Sequence, residues 1–377
     1  MSEPVQGVVM PIEFVAEDSL ADIERHLRSL LARPDVHGIL LMVASGNTFP
    51  VSSLDPLLKQ ANKPIFGGIF PSVMWEGEQY GTGAVMLGLS CEVRWAVLEN
   101  LHQESLEASL QEALALDDGA RETLFTFVDG CSSQINKLIA ALFNQYGLEL
   151  NYIGGGCGTA SFESIPCVIT PLGVLQNAAV LALARCHSGV GVAHGWQPIS
   201  GAFKVTEADG NRIISLDWIP AFEVYRQVVE SHAGASFAGS SFRDLAKAYP
   251  FGIAKLGKEM VIRDPVQCLD GSLLCVGEVR RGAYVHVMHG KAAELIQAAR
   301  QASELASASF GHVSPSAMLF VNCVSRSLFL GADFSQEMAA VRQSGLPMMG
   351  ALTLGEIANS GQDYLEMFNK TSVVGLL

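Results

Sequence analysis

The chain has 377 residues, of which 49% are hydrophobic and only 16% are charged. Its 24 Lys and Arg against 38 Asp and Glu give a formal net charge of −14, which argues against nucleic acid or an anionic membrane as the main partner. The length exceeds that of a typical single domain, so two domains are expected. No apolar run reaches the roughly 20 residues that a transmembrane helix needs, so we expect buried strands and no membrane insertion.

The opening residues lack the basic region and apolar block of a secretory signal. None of the eight cysteines forms a CxxC pair, and most lie inside apolar runs, where a reduced cysteine behaves as a small hydrophobe. Disulfide frameworks are typical of small secreted proteins, whereas this chain is large. We therefore expect a protein of the reducing cytoplasm.

In chain order, the first predicted element is an amphipathic helix over 18–31, which ends before Pro34. A module follows, made of the strand HGILLMVASG, a helix over 54–60, the segment PIFGGIFP and the strand TGAVMLGL. A further helix is predicted over 101–119.

The stretch 125–183 contains the same unit in its clearest form. Its first apolar run, 125–128, is short enough for a buried strand. Apolar residues at spacings of three and four then predict a helix over 135–146. A second strand, 150–153, leads to a predicted glycine loop, GGGCG, at 154–158.

A third copy lies near the C-terminus. It contains SAMLFVNCVSRS, a predicted helix over 335–343, LPMMGALTLGE and TSVVGLL. The glycines Gly67, Gly154 and Gly350 lie at similar distances beyond the first strand of each copy. We interpret the copies as related strand–helix–strand modules.

Between the second and third copies the pattern changes to antiparallel structure. A hairpin turn is predicted at Asp209-Gly210-Asn211, a helix over 219–229 and a meander of strands over 261–288. The predicted fold is α/β, with two related domains built from repeated strand–helix–strand modules and largely buried mixed sheets. The predicted domains are 1–215, with two copies, and 216–377, with the third.

Several segments resemble both domains of the FIST family (F-box and intracellular signal transduction). The N-terminal resemblance rests on VDGCSS, YIGGGCGT and GVGVAHGWQPISGAFKVTEADGNRIISLD. The C-terminal resemblance rests on VIRDPVQCLDGSLLCVGEV, NCVSRSLFLG and MMGALTLGEIANS. Together they cover nearly the whole chain.

The resemblance implies a stand-alone bacterial sensory protein that binds a small ligand, with an amino acid as one candidate. Since no output domain is recognisable in the sequence, we expect it to signal through a separate protein, such as a histidine kinase or a cyclic-nucleotide enzyme. We expect no enzymatic activity and no cofactor.

The predicted ligand-binding residues come from the glycine segments and their surroundings, where backbone N–H groups are suited to a ligand carboxylate. They are Gly154, Gly155, Gly156, Cys157, His194, Trp196, Asn322, Cys323, Arg326, Gly350, Gly355 and Glu356.

Two of these residues have specific predicted roles. Arg326 is suited to pair with the ligand carboxylate and Glu356 to accept from an α-amino group. Alternatively, the two side chains bridge each other and close the domain.

Asp129 is matched to Asn322 in the repeat, and both are candidate helix caps. Trp196 forms a wall of the site or packs in the core.

Some proteins that resemble this family bind haem and sense nitric oxide through a partner histidine kinase. That alternative makes His194 a candidate axial ligand; otherwise it is a turn residue bonded to backbone. No CxxCH attachment sequence is present, so such a haem would be non-covalent.

A second alternative is a thiol-dependent enzyme that uses Cys157, with nearby backbone amides lowering its pKa and holding an oxyanion. Against it, the glycines serve equally well for a tight turn, and the equivalent segments at Gly67 and Gly350 carry no cysteine. The chain also lacks the GxxxxGK[ST] and GxGxxG phosphate-binding patterns.

Overall fold

The computed structural model describes residues 10–377 except 102–109, 111–113, 115–121, 240, 256–259, 312–313 and 360–364. The predicted helix over 101–119 lies almost wholly outside the described residues.

Five of the described helices correspond closely to those predicted over 18–31, 54–60, 135–146, 219–229 and 335–343. The described helices are α1 (Leu20–Ala32), α2 (Asp55–Gln60), α3 (Ile135–Tyr146), α4 (Ala221–Ala233), α5 (Phe242–Ala246), α6 (Ala292–Phe310), α7 (Val324–Leu330) and α8 (Phe334–Val341). Short 3-10 turns lie at Val51–Leu54, Phe237–Gly239 and Gly331–Asp333. Helix α1 begins after Ser19, whose hydroxyl accepts from the amide of Asp22 at 3.2 Å.

The strands are numbered in chain order. The first thirteen are β1 (Ile12–Val15), β2 (Gly38–Ala44), β3 (Ile65–Phe70), β4 (Ser72–Trp75), β5 (Glu78–Tyr80), β6 (Ala84–Leu89), β7 (Val93–Leu98), β8 (Thr123–Asp129), β9 (Asn151–Cys157), β10 (Val168–Thr170), β11 (Gly173–Leu175), β12 (Ala179–Ala184) and β13 (Gly189–Ala193). The others are β14 (Gln197–Pro198), β15 (Phe203–Asp209), β16 (Arg212–Leu216), β17 (Ile219–Pro220), β18 (Phe251–Ile253), β19 (Val261–Leu269), β20 (Ser272–Val276), β21 (Tyr284–His289), β22 (Met318–Cys323), β23 (Met348–Thr353), β24 (Glu356–Ala358), β25 (Glu366–Phe368) and β26 (Ser372–Leu376).

The α/β class and the three strand–helix–strand modules are confirmed. Each module contains one parallel pair: β2 with β3, β8 with β9, and β22 with β23. Each pair lies inside a mixed six-stranded sheet. The strands of these pairs are buried almost throughout, which explains the apolar composition.

Each of the three mixed sheets is completed by a hairpin from another module. The first sheet has the order β1-β6-β2-β3-β10-β11, the second β25-β24-β9-β8-β12-β7 and the third β13-β26-β22-β23-β4-β5. The hairpin that follows β3 therefore completes the third sheet, the hairpin after β9 the first, and the hairpin after β23 the second. Strands from both sides of the predicted boundary at residue 216 consequently share two of the three sheets.

One glycine occupies the same position in every module. Gly67 is paired with Leu41, Gly154 with Thr126 and Gly350 with Phe320 across the parallel strands. At each of these glycines an added Cβ would collide with the carbonyl oxygen of the paired residue. Only glycine permits this approach, so the repeated spacing in the sequence reflects the packing of parallel strands.

The fourth sheet is antiparallel and has the order β14-β21-β15-β16-β20-β19-β18, with β17 paired to β16. It contains the predicted hairpin and the predicted meander. Helix α4 packs on it with a separate apolar core that includes Tyr225, Phe251 and Val285. The loop before α3 and the β19–β20 hairpin face each other across a cleft, which places the fourth sheet beside the second module.

Candidate functional site

The predicted glycine loop is a strand. Gly154, Gly155 and Gly156 belong to β9, which is paired with β8 on one side and β24 on the other. A Cβ at Gly155 would press on the carbonyl of Gly355 and on the side chain of Thr353. The loop interpretation is wrong: the glycines bring three strands together, and their backbone faces protein on both sides.

Cys157 ends β9 and is fully buried, with its thiol 3.9 Å from the carbonyl oxygen of Gly67. Burial raises the pKa of this thiol well above its usual value, with smaller contributions from Cys167 and Asp129. The expectation that amides around Cys157 lower its pKa is therefore wrong. A neutral buried thiol is a poor nucleophile.

Arg326 is fully buried and uses all its donors inside the protein. Its Nε and Nη2 donate to Oε1 of Glu337 at 2.8 and 2.6 Å, and its other N–H groups donate to the carbonyls of His194, Leu295 and Lys370. The proposed bridge to Glu356 is wrong, because the ion-pair partner is Glu337. With five hydrogen bonds in place, the guanidinium has no donor left for a ligand carboxylate.

His194 and Trp196 are buried beside this ion pair. The backbone N–H of Trp196 donates to Nδ1 of His194 at 2.8 Å, and the indole donates to the carbonyl of Lys370 at 2.9 Å. Burial, followed by the charge of Arg326, lowers the pKa of His194 to about 3.

This environment does not fit a haem. His194 is only 6% exposed, its Nδ1 accepts a hydrogen bond, and it lines none of the cavities described below. Among the described residues no group of three His, Cys, Asp or Glu side chains is placed to hold a metal ion.

Asn322, Cys323 and Glu356 form a buried polar cluster at the end of β22. Oε1 of Glu356 accepts from the hydroxyl of Thr353 at 2.9 Å, and Oε2 has no hydrogen-bond partner among the described residues. Burial raises the pKa of Glu356 to about 8, the largest effect on that carboxyl. The side-chain oxygen of Asn322 accepts from the amide of Cys323 at 3.0 Å.

The match of Asp129 to Asn322 is off by one residue. Counting from the paired glycines, Asp129 is opposite Cys157 and Cys323 is opposite Thr353, so Asp129 corresponds to Cys323. The carboxylate of Asp129 accepts from the amides of Cys131 and Asn177, at 3.0 and 2.7 Å. It stabilises the loop before α3 rather than the first turn of the helix.

A large cleft lies between α3 and the fourth sheet and has a volume of about 1040 Å³. One wall is the loop and first turn of α3, residues 130–137. The opposite wall is the β19–β20 hairpin, with Val266, Gln267 and 274–278. We call this space the α3 cleft. None of the residues predicted to bind a ligand lines it.

The α3 cleft has a positive side. Lys137, Arg243 and Arg280 line it, and Glu278 is the one acidic residue among its described lining residues, 3.9 Å from the guanidinium of Arg280. Gln134, the residue before α3, makes no side-chain cap, and the first turn of α3 lies at the positive end of the helix dipole.

A second, inner pocket adjoins the α3 cleft, because Phe162 and Val276 line both. Its volume is about 10 Å³, which is the space of about one water. Cys323 and Gly355 line it, as do Asp264 and Asn369. Two of the residues predicted to bind a ligand, Cys323 and Gly355, therefore lie at the inner pocket.

The inner pocket presents acceptors. Asn369 is 2% exposed, and its side-chain oxygen has no hydrogen-bond partner among the described residues. Asp264 carries a carboxylate that pairs with the ammonium of Lys370 at 3.2 Å. A buried acceptor without a partner is costly unless a water or a ligand group satisfies it.

Sequence reasoning missed the α3 cleft, although a signal for it was present. Two segments that carry the family resemblance, VDGCSS and VIRDPVQCLDGSLLCVGEV, are about 130 residues apart in the sequence and supply its two walls. Their periodicity indicated only a helix cap and a meander, because neither pattern reveals which segments meet in space.

Comparison with known families identifies the chain. Residues 38–219 match the FIST N domain and residues 221–359 match the FIST C domain. The chain therefore belongs to the FIST family, as the sequence resemblance predicted, and FIST domains are signal-transduction sensory domains. No curated protein matches the chain. None of the described helices is both long and apolar enough to cross a membrane.

Proposed function

We propose that this protein is a cytoplasmic sensor that binds a small ligand in the α3 cleft and signals through a separate protein. The proposal rests on the fact that the two walls of the α3 cleft come from different family regions. Residues 130–137 belong to the FIST N region and residues 266–280 to the FIST C region. A ligand in the cleft contacts both regions at once.

An amino acid is the ligand class we propose. The uncapped first turn of α3 and the cations Arg243 and Arg280 suit a carboxylate. The unpartnered oxygen of Asn369 and the carboxylate of Asp264 suit an ammonium group at the inner pocket. Apolar side chains between them, such as Phe162 and Val276, suit an aliphatic side chain.

Signalling follows from the difference in ligand affinity between two arrangements of the walls. A ligand that contacts both α3 and the β19–β20 hairpin favours the arrangement in which they are closest, and it shifts the population only by that difference in affinity. A histidine kinase or a cyclic-nucleotide enzyme is the kind of partner we propose to read this change, as the family resemblance implies.

We propose a binding protein rather than an enzyme. The thiol enzyme hypothesis depended on a reactive Cys157, which is buried with a raised pKa. The haem hypothesis depended on an accessible His194, which is packed and hydrogen-bonded. Neither observation supports those alternatives, and both leave the α3 cleft as the best-supported site.

A thermal-shift panel of the twenty standard amino acids tests the proposal. We expect at least one to raise the melting temperature, and Arg243→Ala to reduce that rise at a fixed ligand concentration by weakening binding. Arg300→Ala is the matched control, since Arg300 is an equally exposed arginine on α6 outside the cleft. No shift with any amino acid, or equal shifts in Arg243→Ala and Arg300→Ala, contradicts the proposal.

A further inference from the structure

Cys91 and Cys186 lie opposite each other just beyond the paired ends of β7 and β12. The antiparallel register pairs Ala184 with Val93, and the amide of Arg185 then donates to the carbonyl of Glu92 at 2.9 Å. The next pair outward is Cys186 and Cys91.

The pair has the geometry that a disulfide requires. Since Arg185 and Glu92 form a hydrogen-bonded pair, Cys186 and Cys91 occupy the following non-hydrogen-bonded position. Cα atoms in such positions are roughly 4.5 Å apart with their side chains close together, inside the range of about 4.4–6.8 Å that disulfides span. The two thiols are close enough that each changes the pKa of the other.

Cys91 and Cys186 are half-buried residues, whereas Cys157, Cys167 and Cys323 are buried. A small oxidant can therefore approach Cys91 and Cys186 without unfolding of the core. Cys131 is exposed, but its described sulfur contacts are the carbonyls of Phe162 and Glu163 rather than a second thiol.

We propose that Cys91 and Cys186 form an oxidation site, a thiol pair that a hydroperoxide converts into a disulfide. The Cys186 thiolate attacks one peroxide oxygen, the O–O bond breaks, and a sulfenic acid forms with release of hydroxide or alkoxide. The Cys91 sulfur then attacks the Cys186 sulfur, an S–S bond forms, and the S–O bond breaks with loss of water. The two thiols supply the two electrons that reduce the peroxide.

The contact between the thiols selects the attacking sulfur. The neighbouring Cys91 thiol lowers the pKa of Cys186. The same contact raises the pKa of Cys91, which keeps its proton until the second step. The first proton is therefore lost from Cys186, and Cys91 is the resolving thiol.

The disulfide would join two chain segments, each of which connects one sheet to the next. Cys91 lies between β6 of the first sheet and β7 of the second, and Cys186 lies between β12 of the second sheet and β13 of the third. A bond here closes a long loop of chain, so we expect the oxidised protein to melt at a higher temperature. This inference does not depend on the proposed ligand.

Treatment of the full-length protein with hydrogen peroxide, followed by non-reducing peptide mapping and thermal melting, tests the proposal. We expect a linked peptide pair containing Cys91 and Cys186, two hydrogens lighter than the sum of the free peptides. The accompanying rise in melting temperature should be reversed by dithiothreitol.

Cys186→Ser should abolish both changes, whereas Cys268→Ser should not, because Cys268 is equally half-buried and lies on the fourth sheet. If Cys91 and Cys186 both remain open to alkylation after peroxide, or are overoxidised separately, the proposal is overturned. The wild-type peptide map decides this even if a variant does not fold.

Discussion

The guanidinium of Arg326 contacts the carboxylate of Glu337 at 2.6 Å, and both side chains are fully buried. Arg326 lies on α7 and Glu337 on α8, and the same carboxylate oxygen accepts from the hydroxyl of Ser372 on β26. One ion pair therefore fixes both helices of the third module against its sheet.

Removal of one partner should destabilise the fold strongly. We expect Arg326→Ala to lower the free energy of unfolding by about 3–5 kcal/mol, because it leaves the Glu337 carboxylate buried without its cation. Urea unfolding measures this loss. The exposed Arg300→Ala variant should change it by less than about 0.5 kcal/mol. Normal stability of Arg326→Ala would indicate that Arg326 is not structural.

The glycine in each parallel pair should not tolerate a methyl group. Gly154→Ala forces the added Cβ into the carbonyl of Thr126, and we expect a loss of about 1–3 kcal/mol or more in denaturant unfolding. Gly201→Ala is the control, because nothing lies within 4 Å of a Cβ at that position. Equal effects of the two substitutions would refute the packing role of Gly154.

Glu356 should make stability fall with rising pH. Its folded pKa is about 8 against an ordinary value of 4.5, so between these pH values the folded state holds a proton that the unfolded state has lost. Stability from this group is complete below pH 4.5 and is lost as the pH rises to about 8.

Glu356→Gln isolates the effect, since the amide resembles the neutral acid. We expect the stability difference between this variant and the wild type to move in favour of the variant from pH 5 to pH 9, measured by urea unfolding in steps of one pH unit. A pH-independent difference would mean that Glu356 titrates normally.

Thiol reactivity should follow exposure rather than the glycine-rich surroundings. In the native protein we expect iodoacetamide to label the exposed Cys131 much faster than the buried Cys157, whose pKa is raised. Timed alkylation with peptide mapping measures both rates. Rapid labelling of Cys157 in the folded protein would contradict this expectation and support the hypothesis of a thiol-dependent enzyme.

The modules were predictable because their signals are local. Apolar runs such as 125–128, the amphipathic spacing from Ile135 to Tyr146 and the stop at Gly147 depend only on neighbouring residues. The strand exchange was not predictable, because nothing in the sequence of β4 identifies β23, more than 250 residues away, as its partner.

The site was harder to predict than the fold for the same reason. Arg326 was associated with Glu356 because both lie in segments that resemble the family, whereas its partner Glu337 lies on the apolar face of a short helix. The glycines of β9 indicated a loop, because glycine usually interrupts strands. In this protein they belong to a strand that lies close against two others.

Hydrogen exchange in the presence of the amino acid that gives the largest thermal shift tests the central claim most directly. Ligand bound in the α3 cleft should slow exchange on both walls together, in residues 130–137 and in residues 266–280, and leave α1 unchanged. Protection confined to one wall, or located only outside the cleft, would contradict the claim that the ligand joins the two FIST regions.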